Sequence, residues 1–254
     1  MQTSFALDGR TALVTGASRG LGMAIAEGLA GAGADIIGVS ANQPASGSEI
    51  QGRVEGAGRR FSGRACDFAD RQPTRELVDW LDDQGHQVDI LINNAGIIRR
   101  APVVGHSDAD WDAVLEVNLT APFVLTRELA KPMIARGHGK VVFVTSILGF
   151  QGGVTVPGYA STKSAIIGLT KALANEWAGQ GVNVNAIAPG YVRTDNTQVL
   201  QDDPERSEAS RTRIPAGAWG TADQIAGAAI YLSSPAAEYV HGSVVTVDGG
   251  LMGR

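Results

Sequence analysis

The strongest constraint on this chain is a regular alternation of two kinds of segment. Short runs rich in β-branched and apolar residues occur at 11–15 ("TALVT"), 35–39, 60–67, 89–93, 140–146, 182–188 and 243–248. Between them lie longer stretches with helical spacing, among them 20–33, 75–85, 108–136 and 158–178. A strand that is apolar throughout must be covered on both faces, and successive parallel strands need a crossover that is usually a helix. The alternation therefore predicts an α/β chain, a single domain over residues 1–254 with a doubly wound parallel sheet and helices on both faces. A length of 254 residues suits one such core.

Composition narrows the possible functions. A net charge of −5 and a pI near 5.4 leave no basic footprint for nucleic acid. The single cysteine, Cys66, has no intrachain disulfide partner, and no Cys/His spacing suggests a metal site. No apolar run reaches membrane-spanning length, and the first ten residues lack the apolar core of a signal peptide. A cytoplasmic enzyme is the expectation. Glycine is in excess, 33 of 254 or about 13% against about 7% on average, which points to places where the backbone turns tightly or approaches a ligand.

One such place follows the first apolar run. "TGASRGLG" sets Gly16, Gly20 and Gly22 between a strand and a helix. The spacing is Gly-x3-Gly-x-Gly rather than Gly-x-Gly-x-x-Gly, but the physics is shared: a tight turn, close backbone approach, and a helix N-terminus whose free N–H groups favour a pyrophosphate. The usual companion, a carboxylate at the end of the second strand that bonds the adenosine ribose, is missing. Ser40, Ala41 and Asn42 stand there, while Asp35 begins that strand. Arg19, within the turn, is placed either to meet a 2′-phosphate or to face solvent. The residues leave NAD against NADP open.

A second group carries the chemistry. Tyr159 and Lys163, four apart on a helical pattern, share one face. A cation beside a phenol favours the phenolate and makes it a usable base. Ser146 ends a strand thirteen residues earlier, at the edge where open α/β sheets bind ligands. Pro122, four residues after Asn118, has no N–H to offer the Asn118 carbonyl, which is thereby freed or the helix merely kinked. Arg99 and Arg100 leave the apolar run 89–93, and such a guanidinium suits a substrate carboxylate. Neighbouring residues point different ways, so one of the two is the expected contact; the alternative is that both lie on the surface, solvated or paired with Asp108, Asp110 or Glu116. Segment 190–216 is polar, weakly periodic and long for a connection, so a substrate lid is expected. "TADQ" (221–224) has the form of a capping box and should open the last helix.

Taken together, Thr15-Gly16-x3-Gly20-x-Gly22, Asn93-Asn94-Ala95-Gly96, Asn118, Ser146, Tyr159-x3-Lys163 and Pro189-Gly190 resemble the short-chain dehydrogenases/reductases over almost the whole chain. The resemblance implies a Rossmann-type fold, a nicotinamide cofactor and a homotetramer. It implies Tyr159 as acid/base, Ser146 as holder of the substrate oxygen, Lys163 on the nicotinamide ribose and Asn118 on a proton-relay water. Cofactor contacts would fall to Gly16, Ser18, Arg19, Gly20, Leu21, Gly22, Ser40, Asp67, Asn93, Ala95, Gly96, Tyr159, Lys163, Pro189, Gly190, Val192 and Thr194. The substrate would meet Arg100, Ser146, Gln151 and Tyr159, with no metal. Within the family, "NNAGIIRR", "FQGGVTVPGY" and "NAIAPGYVRTDNTQ" are most similar to dehydrogenases of small sugar acids, which favours NAD, with NADP still open. Other reductases of the fold, or a catalytically silent nucleotide-binding regulator, are the alternatives. One departure is Ala218, where relatives commonly carry arginine.

Overall fold

The structure is a computed structural model that describes residues 4–194 and 197–253. Seven parallel strands form one sheet: β1 (Thr11–Thr15), β2 (Asp35–Ser40), β3 (Phe61–Ala65), β4 (Ile90–Asn93), β5 (Gly139–Val144), β6 (Val182–Pro189) and β7 (Val244–Val247). Their order is β3-β2-β1-β4-β5-β6-β7. The chain runs outward from β1 to β3 and then crosses back to β4, so the direction of winding reverses between β1 and β4, which pair from Ala12↔Ile90. A crevice opens at such a reversal, outside the carboxyl ends of the strands.

The helices are α1 (Gly20–Gly31), α2 (Glu49–Gly56), α3 (Arg71–Asp83), α4 (Asp108–Leu115), α5 (Ala121–Ala135), α6 (Leu148–Gln151), α7 (Pro157–Trp177), α8 (Gln198–Gln201), α9 (Pro204–Arg211) and α10 (Ala222–Ser233). The period of two along each strand divides the core. Leu13, Leu91, Val141 and Phe143 pack under Leu77, Leu125, Ile166 and Leu173 of α3, α5 and α7. Ala12, Val14, Ile90 and Val142 pack under Ile25, Leu29, Ile225 and Leu232 of α1 and α10. The predicted doubly wound sheet is the observed one.

Three details differ from the sequence reading. The pattern 108–136 is broken by a single π turn, Glu116–Thr120, between α4 and α5, with the Ala121 N–H donating to the Glu116 carbonyl. Pro122 withholds the N–H that would continue α-type bonding to Asn118, and the widened turn accommodates it. Helix α2 was not anticipated. Within 190–216 the chain forms α8 and α9; Asp195 and Asn196 of that segment lie outside the described residues. The capping box at Thr221 and Gln224 forms as predicted.

Both ends of this segment are fastened to β7 and the turn after it. The Gly190 N–H donates to the Val247 carbonyl at 3.0 Å, and the Ala216 N–H to the Gly249 carbonyl at 3.0 Å. A Cβ on Gly190 would lie 2.7 Å from the Asp248 Cα, so only glycine permits this approach.

Candidate active site

The turn after β1 is held from two sides. Gly16 and Gly20 adopt φ of +70° and +56°, a region that side chains disfavour. A Cβ on Gly22 would fall 2.1 Å from the Gly16 carbonyl oxygen and 2.5 Å from the Asn94 Nδ2. Asn94 is the residue that shapes the turn. Its Nδ2 donates to the Thr15 carbonyl at 2.9 Å, and its backbone N–H and that of Ala95 both donate to the Thr15 Oγ1, at 2.9 and 3.0 Å. Asn93, which the family resemblance assigns to the cofactor cleft, donates through its Nδ2 to the Thr126 Oγ1 at 2.9 Å, joining β4 to α5, while its Oδ1 is buried without a hydrogen-bond partner among the described residues. The second asparagine of the "NNAG" run was the available signal.

Arg19 is the extended N-cap residue of α1 and offers no side-chain cap, so the first N–H groups of that helix face the crevice without a protein acceptor. Ser40, buried at the end of β2, accepts the Ser18 N–H at 3.1 Å. That hydroxyl ties the glycine turn to the sheet where a carboxylate would otherwise stand. Asp35, at the opposite end of β2, is occupied by Arg59 and Arg60. Thr194 arrives over the turn, its Cβ 3.8 Å from where a Gly20 Cβ would be. Val192 bridges to Gly220, and Leu21 packs on the core beneath. Asp67 lies exposed just beyond β3, where it accepts the Ala69 N–H at 3.0 Å. The cradle fits a dinucleotide: bare backbone, uncapped helix N–H groups and no side chain in the way.

At the far side of the crevice the catalytic candidates converge. Asn118, buried in the π turn, holds Ile97 by both main-chain groups: its Oδ1 accepts the Ile97 N–H at 2.8 Å and its Nδ2 donates to the Ile97 carbonyl at 3.0 Å. Gly96 sits against this amide, its virtual Cβ 3.3 Å from the Oδ1. Tyr159, on the first turn of α7, lies beside Ser146, and both the Ser146 hydroxyl and the positive charge of Arg100 act to favour its phenolate. Lys163 lies one turn on, its Nζ 5.4 Å from the Tyr159 ring centroid and donating to the Val144 carbonyl at 2.8 Å. Gln151 ends α6 with an exposed side chain. Pro189 closes β6, its carbonyl accepting the Ile147 N–H at 3.2 Å.

The electrostatics differ from the sequence expectation in one respect. Burial pushes the Tyr159 phenol above its ordinary value of 10.0, and the pull of Ser146 and Arg100 only partly offsets this. Burial also lowers Lys163 to about 8, so it stays mostly charged at pH 7 and loses its proton just above neutrality. The site as it stands stores a protonated phenol beside an ammonium that is far easier to deprotonate than an exposed lysine. Both arginines are exposed: Arg99 pairs with Asp110 at 3.2 Å, Glu116 pairs with Arg71 instead, and Arg100 lies near enough to Tyr159 for its charge to act on the phenol. Ala218, in the place where arginine was expected, is exposed, beside Trp219, which packs on Tyr191 at 5.3 Å between ring centroids.

A family model described as short chain dehydrogenase matches residues 10–205. This chain belongs to that family. The short-chain dehydrogenases similar to it include a 2-dehydro-3-deoxy-D-gluconate 5-dehydrogenase from Pseudoalteromonas atlantica, 54% identical over 100% of both chains. A candidate 2-deoxy-D-gluconate 3-dehydrogenase from Agrobacterium tumefaciens, solved with bound NADP, is 50% identical with a TM-score of 0.93 over 100% of both chains. A gluconate 5-dehydrogenase from Burkholderia cenocepacia, solved with NADP and tartrate, is 39% identical with a TM-score of 0.92, covering 99% of this chain and 98% of that one. The chain is thus an NAD(P)-dependent oxidoreductase of the short-chain dehydrogenase family. Among the described residues no cluster of His, Cys, Asp and Glu could hold a metal ion, and no helix is long and apolar enough to cross a membrane.

Proposed function

We propose that this short-chain dehydrogenase interconverts the C5 alcohol and ketone of a small sugar acid, with 2-dehydro-3-deoxy-D-gluconate as the substrate. The observation that carries the reading is the full-length likeness to a 2-dehydro-3-deoxy-D-gluconate 5-dehydrogenase, 54% identical, joined to the nearness of Arg100 to Tyr159 while Arg99 is engaged by Asp110. A cation near the proton-bearing tyrosine suits a substrate with a carboxylate at one end and the reacting carbon further along. The dinucleotide, when bound, supplies or accepts the hydride. Ser146 and Tyr159 hold the substrate oxygen, and Tyr159 gives it a proton in the reducing direction. Lys163 binds the nicotinamide ribose and, charged in that contact, favours the phenolate. The Asn118 carbonyl holds a water of the relay. Segment 190–216 serves as the lid.

For the cofactor, the reading is NAD with modest discrimination. Ser40 neither repels nor attracts a 2′-phosphate, and Arg19 flanks the position. Ser40→Asp is expected to depress NADP use about tenfold or more through charge repulsion and to leave NAD use within a few-fold. Exclusive NADP use by the unaltered protein would reverse the preference. A cytoplasmic homotetramer completes the reading. Trp111 and Phe123 on α4 and α5 expose apolar surface suited to contact between copies, and sedimentation as a monomer would remove that part.

The deciding assay supplies NAD or NADP with 2-dehydro-3-deoxy-D-gluconate, gluconate and a carrier-linked 3-oxoacyl group in the matching redox direction, reading reduced-nicotinamide absorbance. Turnover fastest on the first supports the proposal. Turnover fastest on gluconate moves the assignment to a gluconate 5-dehydrogenase, and none on any, with dinucleotide bound, to a silent nucleotide-binding regulator.

A further inference from the structure

Two loops frame the space between Arg100 and Tyr159, and a single main-chain bond joins them. The Ala101 N–H donates to the Thr155 carbonyl at 3.0 Å. The loop carrying Arg100 is also gripped at its start, where Asn118 holds both main-chain groups of Ile97, and on its outer side, where Arg99 pairs with Asp110. With Ile97, Arg99 and Ala101 held, the backbone at Arg100 is fixed, and its exposed side chain starts from a set point on the rim of the site.

The other loop is built to present that carbonyl. Thr155 has φ of +62°, the one non-glycine residue among those described with a positive φ. A β-branched residue adopts this region only under constraint. Here the constraint is local: the Thr155 Oγ1 donates to the Val154 carbonyl at 2.6 Å, Val156 is buried, and Pro157 restricts the backbone before it. A Cβ on Gly153 would lie 2.6 Å from the Val156 Cγ2, so the loop is packed down on its own next residues. Tyr159 follows four residues after Thr155 on the first turn of α7.

We infer that the Ala101–Thr155 bond is a positioning clamp that fixes the separation between the backbone carrying Arg100 and the helix turn carrying Tyr159, limits the span the two side chains can bridge, and so selects sugar acids by how many carbons lie between carboxylate and ketone. The inference rests on the proposed carboxylate contact of Arg100. An acid reacting at C5 has three carbons between C1 and the reacting carbon, and one reacting at C3 has one. A rigid span favours one of these, whereas two independent loops would admit both.

The test uses the full chain and four variants. Ala101→Pro deletes the donor. Thr155→Pro forces a negative φ and swings the acceptor away, and should Ala101→Pro fail to fold it cuts the clamp from the other side. Thr155→Gly keeps the carbonyl in place at no steric cost. Arg100→Met removes the cation. Each is assayed on 2-dehydro-3-deoxy-D-gluconate, on its neutral amide and on an acid reacting at C3, with thermal midpoint and dinucleotide affinity as fold controls. The clamp-cutting variants should lose about tenfold more kcat/KM on the C5 acid than on the amide, mainly through KM, and should discriminate less against the C3 acid. Thr155→Gly should restore the parent ratio within about twofold, and cutting the clamp in the Arg100→Met background should add little, since coupled residues are non-additive. Equal losses on acid and amide, or a full further loss without Arg100, overturn the clamp. A large loss for Arg100→Met with none for either clamp-cutting variant overturns the clamp and spares the carboxylate reading. No loss on the acid for Arg100→Met overturns both.

Discussion

The two ends of the sheet each bury a lysine, and each end answers its charge differently. At the amino end, Lys140 donates to the Asn183 Oδ1 at 2.8 Å and pairs with Glu238 at 3.1 Å. Nearby Asp89, also buried, accepts the Thr11 N–H at 3.0 Å with Arg136 and Arg10 at 3.6 and 3.8 Å. At the carboxyl end, Lys163 is as deeply buried but donates to a backbone carbonyl, and among the described residues no carboxylate pairs with it. Burial lowers the pKa of both lysines; at Lys140 the Glu238 carboxylate opposes that shift, and at Lys163 burial acts alone, down to about 8. A buried charge without a counter-charge is costly. The comparison teaches where this fold keeps its reactivity: polar groups at one end are committed to each other, and those at the other remain available to a ligand.

The contrast breaks most visibly with Tyr159→Phe, which removes the transferable proton and little volume. Turnover should fall about a thousandfold or more while dinucleotide binding and thermal midpoint hold. Activity near that of the unaltered enzyme would mean that the carboxyl end is not where the proton moves. Asp89→Ala should give the reverse pattern. Two arginines then lose their buried partner, and stability measured by urea unfolding should drop by about 3 kcal/mol with activity per folded molecule preserved. A loss of turnover without a loss of stability would erase the distinction between the two ends.

The smallest of the three effects sharpens the comparison by pH. Burial holds the Lys163 pKa at about 8 in the folded chain against its ordinary value of 10.5, so between these values the unfolded chain binds more protons. Stability from this group therefore rises with pH across that window and is absent below it. From pH 8 to about 9.5 the gain is about 1.5 kcal/mol, measured as the difference between the unaltered chain and Lys163→Met in cofactor-free protein. Parallel pH curves for the two would show that Lys163 is not desolvated.

Much of this was legible in the residues, for reasons that differ from element to element. The sheet was readable because its central strands are buried on both faces and appear as apolar runs, while the edge strands β3 and β7 are only partly buried. The tyrosine helix was readable because Tyr159 and Lys163 need only helical spacing to share a face. Helix α2 was not, since only Ile50 and Val54 are buried and its start depends on Ser48 accepting the Gln51 N–H. Helix α9 buries only Ser210 and has no apolar period to see; its start rests on Asp203 accepting the Arg206 N–H and on Pro204. The role of Thr155 was hidden for another reason. It acts on the backbone of a residue distant in sequence, and no local pattern encodes such a contact; Asn94 acts at similar range, but the "NNAG" run marked its position. The direction of the Tyr159 shift was also out of reach, because burial depends on everything packed around it.

The fastening of the 190–216 segment to β7 has a consequence for how the protein is made. The glycine turn is synthesised within the first two dozen residues and Tyr159 well before β7, yet the two ends of this segment find their anchors only at Val247 and Gly249. A nascent chain from which β7 has not yet emerged therefore lacks the acceptors of both bonds, and the segment's ends are tied down only when the last strand of the sheet is in place.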